Sequence, residues 1–231
     1  MNQLKQNIIN FCESIFSITI RDVKIQLRNL SYITSILIFF IITVLIFIFG
    51  IGPNEGQLKI IGIPIMWTIL ILSSTITVNK LLKEDYDDGN FGIYQFTGLS
   101  FELIAVSKII TSWILFQLPL LVIVPIVSIV LNIDPNEIGQ LIITMIIGSP
   151  ILSIFTLIAS AMMLTNSKNL TLGSLIILPM SIPIIIFAVG AVNTDTDLFI
   201  SQIYILISIL LATFAIGPWV ISACIRIALR N

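Results

Sequence analysis

Six stretches of this chain carry no charged side chain: residues 30–51, 60–79, 109–131, 138–165, 171–192 and 199–225. Each reaches the ~20 residues that a helix needs to cross ~30 Å of hydrocarbon. The first is the clearest, with fourteen Ile, Leu, Phe or Val among the sixteen residues 36–51. On the insertion scale that core alone contributes roughly −4 to −8 kcal/mol. The pattern predicts an all-α membrane protein with six transmembrane helices. A different pattern precedes them. Leu4, Ile8, Phe11, Ile15, Ile18, Val23 and Leu27 recur at near-helical spacing, while Lys5, Glu13, Arg21, Lys24 and Arg28 fall largely elsewhere. Residues 1–28 therefore read as an amphipathic helix lying in the membrane interface, or as a helix packed on another subunit. Residues 29–231 form the six-helix domain.

Charge fixes the orientation. With six spans, Lys5, Arg21, Lys24, Arg28, Lys80, Lys83, Lys108, Lys168, Arg226 and Arg230 fall on one side of the membrane, and only Lys59 on the other. Ten against one places both termini in the cytoplasm. The first 28 residues lack the short apolar core and small-residue cleavage site of a signal peptide. Composition agrees with the span reading, at 57% hydrophobic and 10% charged residues.

Several chemistries drop out. The chain has no histidine, which excludes His-ligated metal, a Ser–His–Asp triad and an axial histidine for haem in this subunit. It contains no GxxxxGK[ST] loop, so it is not expected to hydrolyse ATP alone. The spans hold no Asp, Glu, Lys or Arg of the kind that ion-driven pumps use as relays. No basic tract could track nucleic acid. Cys12 and Cys224 lie near the cytoplasmic side and read as packing residues.

Polarity collects in one cytoplasmic loop, 80–108, where Glu84, Asp85, Asp87 and Asp88 supply four of the twelve carboxylates. Residues 79–86 are expected to extend the second span into the cytoplasm, with Gly89 as a left-handed stop. Phe91, Tyr94 and Phe96 follow, then a short amphipathic segment, 101–108. An acidic turn with exposed aromatics suits docking of a soluble partner, with a plain solvated loop and a metal site as the alternatives. Lys83, Asp85, Tyr86, Asp88 and Gly89 are the residues expected to carry the docking. Seven of the nine prolines lie inside spans. Gly148 and Pro150 are expected to break the fourth, and Pro179 and Pro183 to kink the fifth. Such breaks serve either packing or gating.

These segments, in this order, resemble the CcmB family, membrane subunits of cytochrome c maturation related to ABC-2-type permeases. The resemblance rests on Gly50, Gly52 and Pro53 closing the first span, Trp67, and the loop carrying Leu82, Asp85, Asp88 and Gly89. Glu102, Leu103, Lys108, Trp113 and the run Leu118, Pro119, Leu120 and Leu121 continue it. Gly148, Ser149 and Pro150, then Leu178, Pro179, Ile182, Pro183, Ile186 and Phe187, are its most specific later pieces, followed by Pro218 and Arg226. The chain departs from the family at Gly92, where a Glu is usual, and at Lys168, where two glycines usually follow the basic residue. The resemblance implies a multi-pass protein of the bacterial inner membrane that is not an enzyme. It would pair with an ATP-binding subunit, CcmA, and work with CcmC, CcmD and the haem chaperone CcmE. It implies no cofactor on this chain, with ATP and haem handled by the partners, and a second membrane half in the complex, either another copy of the chain or a homologous partner. Permeases exporting another lipid, drug or glycan share the coupling logic, and a passive membrane scaffold is the third reading.

Overall fold

The computed structural model describes residues 2–28, 30–52, 55–78, 81–164, 170–192 and 196–230, with side chains from residue 13 onward except at 55, 81, 170–172, 174 and 196. Pro53, Asn79, Lys80, Lys168 and Asn169 lie outside the described residues, as do the side chains of Lys5 and Cys12. Every regular element is a helix: α1 (Asn2–Leu27), α2 (Ser31–Ile51), α3 (Glu55–Ile76), α4 (Leu81–Asp87), α5 (Asn90–Phe96), α6 (Phe101–Ser112), α7 (Leu118–Val130), α8 (Pro135–Met162), α9 (Leu170–Val192) and α10 (Thr196–Ala228). A π-helical turn, Trp113–Gln117, joins α6 to α7, so that Phe101–Val130 is one rod of 30 residues. Six of the described helices are long and apolar enough to cross a membrane. All-helical structure is what lipid permits, because only a helix satisfies every backbone polar group within its own segment.

The bundle is organised around α8. It touches α3, α4, α6, α7, α9 and α10, and every residue from Ile151 to Ala161 is buried. By contrast, α2 buries only the stripe Ile36, Phe40 and Val44 at helical spacing, although its sequence is apolar all round. The rod Phe101–Val130 is longer than the 109–131 stretch. At ~1.5 Å per residue it spans about 45 Å, so its first turns extend past ~30 Å of hydrocarbon and can carry charge. At its start, the Ser100 hydroxyl caps the helix by accepting from the Leu103 N–H at 3.3 Å.

Two expectations change. The second span does not run on through the acidic segment: α3 ends at Ile76, a turn follows at Thr77 and Val78, and α4 is a separate helix. Gly89, at φ 71°, then reverses the chain into α5. Gly148 and Pro150 do not break α8, which runs unbroken from Pro135 to Met162; α9 is likewise one helix that contains Pro179 and Pro183. A proline removes one donor and crowds one carbonyl; where neighbouring helices pack against that turn, the rest of the ladder persists. The irregular turn falls at Trp113–Gln117, just before Pro119.

α1 lies against α6. Its buried stripe is Ile18, Thr19, Asp22 and Gln26, so a partly polar face meets the protein, while Phe16, Ile25 and Leu27 stay exposed. The Thr19 and Ser107 hydroxyls share a hydrogen bond of 3.2 Å across that contact.

Candidate functional site: a buried charge cluster beneath a helical turn

At the end of the bundle that carries α1 and the C-terminus, α4 and α5 form a compact turn outside the spans. Lys83 ties it down: its Nζ pairs with Asp87 Oδ1 at 2.8 Å and donates to the Leu164 carbonyl at 3.3 Å. The Tyr86 hydroxyl donates to the Ala228 carbonyl of α10 at 3.2 Å. Nearby, Arg226 of α10 pairs with Glu102 of α6 at 2.6 Å, and Ser222 donates to the same carboxylate oxygen at 2.9 Å. These bonds join the turn and the ends of α8, α10 and the third span.

Under the turn sits a lysine with almost no access to water. Lys108 is 2% exposed. Its Nζ lies 2.6 Å from Asp22 Oδ2 on α1 and 2.5 Å from Asp85 Oδ2 on α4. Both contacts are ion pairs at close range without directional hydrogen-bond geometry at the carboxylate oxygens. The second oxygen of each carboxylate is also engaged. Asp22 Oδ1 accepts from Arg21 Nη2 at 3.0 Å and from Arg21 Nε at 3.2 Å. Asp85 Oδ1 accepts from Asn90 Nδ2 of α5 at 3.0 Å. Arg21 Nη2 also donates to the Tyr94 hydroxyl, and the guanidinium stands 5.2 Å from that ring's centroid.

Two aspartates, one lysine and one arginine thus form a quartet of zero net charge. A lone ion there would cost several kcal/mol in lost hydration, and deleting one partner of a buried pair costs about 3–5 kcal/mol. Burial works against the Arg21 charge, yet Tyr94, Asp22 and Asp85 outweigh it and raise the guanidinium above its ordinary range. Burial raises the Tyr94 phenol, which keeps it a neutral hydroxyl. A small polar cavity of about 80 Å³ adjoins the quartet, lined also by Gln26 and Glu84, whose side chains share a 3.0 Å hydrogen bond.

The structure brings the sequence-predicted residues together unevenly. Lys83, Asp85 and Tyr86 all lie on α4 but face inward, toward α8, Lys108 and α10 respectively. Asp88 and Gly89 are exposed at the tip. The aromatics separate too: Phe91 and Tyr94 are buried, with the Phe91 ring edge-on to Phe101 at 6.4 Å, whereas Phe96 is 95% exposed and Ile93 60%. The expectation that Phe91 and Tyr94 lie on the surface is corrected, because α5 turns one face to the bundle. Asp22 and Arg21 were not singled out from sequence. The available signal was Lys108 itself, a cation next to a long uncharged stretch, which demands a counter-ion.

Gly148, Pro150, Pro179 and Pro183 lie away from this cluster, within the bundle. Gly148 faces the buried Trp67. Beside it, Trp113 Nε1 donates to the Ser149 hydroxyl at 2.9 Å, and Gln117 Nε2 donates to the Ser74 hydroxyl at 2.7 Å. Both donors belong to the π turn, so the altered register of the rod aims two polar side chains inward at α3 and α8.

Comparison with known proteins places this arrangement in a lineage. The family model described as "CcmB protein" matches residues 13–228. "Heme exporter protein B" of Bradyrhizobium diazoefficiens is 30% identical over 209 residues, covering 89% of this chain and 94% of that protein. The protein of the same name from Haemophilus influenzae is 29% identical over 214 residues, covering 91% and 96%. That of Escherichia coli is 26% identical over 211 residues, covering 90% and 96%. The match runs from within α1 to the end of α10 and takes in the whole charge cluster, and the chain belongs to the CcmB family.

Proposed function

We propose that this chain is the membrane permease subunit of a complex in cytochrome c maturation that exports haem or releases a haem-loaded chaperone. It spans the inner membrane with both termini in the cytoplasm, and ATP is hydrolysed by a separate subunit, CcmA. CcmC, CcmD and the haem chaperone CcmE are its further partners, and a second copy of the chain completes the membrane part. Family membership and the names of the relatives support the haem assignment. The absence of histidine from this chain fits a subunit that leaves haem ligation to others.

One observation carries the coupling part. The α4–α5 turn stands outside the spans with Ile93 and Phe96 exposed beside the exposed acids Asp87 and Asp88, yet its inner face is pinned to four other helices. A soluble partner gripping the apolar knob moves the turn, and the pinned face passes that motion to the spans. The test is covalent haem staining of c-type cytochromes in cells lacking this gene, with and without plasmid rescue. Loss of staining, restored by rescue, is expected. Normal staining with no second copy of the gene would refute the assignment.

A further inference from the structure

The geometry points to Lys108 as the positioning residue that couples the α4–α5 turn to the third span, with Asp22 and Asp85 as its two anchors. The inference rests on the proposed reading of that turn as the place where an ATP-hydrolysing partner acts. Three elements far apart in sequence each bring one buried charge to a single point: Asp22 from α1, Asp85 from α4 and Lys108 from α6. Carboxylates on two different elements both lie within 2.6 Å of the Lys108 ammonium. Sliding α1 or α4 along α6 therefore breaks a buried ion pair, whereas an apolar contact would let the surfaces slip at little cost.

Neither anchor is free to change partner. Asp22 is held by Arg21, which reaches on to Tyr94 of α5. Asp85 is held by Asn90, also of α5. The clamp thus gathers α1, α4, α5 and α6 into one body. Its lysine stands five residues before the π turn Trp113–Gln117 in the 30-residue rod. A π turn is a local register fault inside a helix, of a kind frequent at functional sites. A push on α5 arrives at Lys108, and the rod can absorb it by rewinding at Trp113–Gln117, where the side chains reach α3 and α8.

A staple that merely stabilises the fold makes a different forecast: its stability suffers when one buried partner is removed and its counter-ions are stranded, and far less when buried Lys108, Asp22 and Asp85 are neutralised together. The triple variant Asp22→Asn, Asp85→Asn, Lys108→Met separates the two. Arg21 keeps Tyr94 and its partial exposure to water in that variant. We expect the complex to assemble with near wild-type yield and melting temperature and to hydrolyse ATP in membrane vesicles. Haem-stained cytochrome formed per ATP hydrolysed should fall by about tenfold or more, a loss of the size typical of coupling between sites. Lys108→Met alone should lower yield as well, since it strands two carboxylates. A triple variant with wild-type output per ATP overturns the inference.

Should the triple variant fail to assemble, an intact cluster decides the matter. Spin labels at exposed Ser17 on α1 and Gln95 on α5, with Cys12 and Cys224 replaced by Ser, should keep one separation with and without trapped nucleotide. A separation that changes overturns the clamp. Failure of the underlying coupling reading looks different: a hydrolysis-dead ATPase subunit beside the wild-type chain would leave haem staining intact, which refutes both.

Discussion

The side chain that best separates what periodicity reveals from what packing decides is a missing one. Gly148 stands before Pro150 in the sequence as a point of weakness, but a Cβ there would sit 2.4 Å from Trp67 Cη2, 3.1 Å from Trp67 Cζ3 and 3.3 Å from Ile184 Cγ2. The glycine makes room for an indole. Alanine in place of glycine gains up to about 1 kcal/mol of helix propensity, whereas overpacking a filled core costs about 1–3 kcal/mol. The ring is fully buried and cannot swing away as a flexible chain end would. Gly148→Ala should therefore lower the melting temperature of the detergent-solubilised protein, and adding Trp67→Phe should recover part of the loss by vacating the Cη2 position. Independent, additive effects would show that the contact is not the cause. The charge cluster was legible to the same partial degree. Lys108 is visible as a cation at the edge of a span, but its partners Asp22 and Asp85 lie 86 and 23 residues before it, and a helical period reports faces rather than long-range pairs.

At the scale of elements, the third span starts at Phe101, well before its charge-free stretch, whereas the other five are readable within a few residues because charge-free length is set by bilayer thickness. Which face of each span is buried is not. In α2 nearly every position is apolar, and only packing selects Ile36, Phe40 and Val44. Gly148 and Pro150 mislead for a related reason: lipid penalises broken backbone so heavily that α8 continues through them. The acidic segment is the informative case. Its length and Gly89 indicate a turn, but the division of labour between its faces emerges only when α4 and α5 are seen folded together, with Asp85, Phe91 and Tyr94 inward and Ile93 and Phe96 outward. That division yields a prediction for α5 as a unit. Replacing Ile93 and Phe96 by Ser removes apolar surface that touches water, so the fold should change by no more than about 0.5 kcal/mol. Aromatic anchors carry much of the energy of an interface. Losing about 1–2 kcal/mol weakens an interaction roughly 5–30-fold, which pull-down of the ATP-binding subunit through a tag on this chain would read directly. Undiminished recovery of that subunit would move the docking surface off α5.

For the whole molecule, the two ends of the bundle are chemically unequal. One gathers α1, the α4–α5 turn, the charge quartet around buried Lys108 and the Arg226–Glu102 pair. The other holds the Lys59–Asp134 pair at 2.5 Å between α3 and the start of α8, and Lys59 is the sole basic residue assigned to it. Basic residues resist translocation, so an imbalance of ten to one should hold the first end in the cytoplasm. The structure adds a second reason for a fixed orientation. α1 is not a detachable anchor, because extracting it from the bundle would strip Lys108 of one carboxylate and expose Arg21 and Asp22 as an unsupported pair. Single cysteines placed at exposed Gln95 on α5 and at exposed Asn136 on α8, with Cys12 and Cys224 replaced by Ser, test this. A membrane-impermeant maleimide added to spheroplasts should label residue 136 at once and residue 95 only after the membrane is permeabilised. The reverse pattern would put α5 on the far side from any cytoplasmic ATPase and remove the basis for coupling through it. Labelling of both residues in intact spheroplasts would mean that the chain inserts in two orientations, against the charge imbalance.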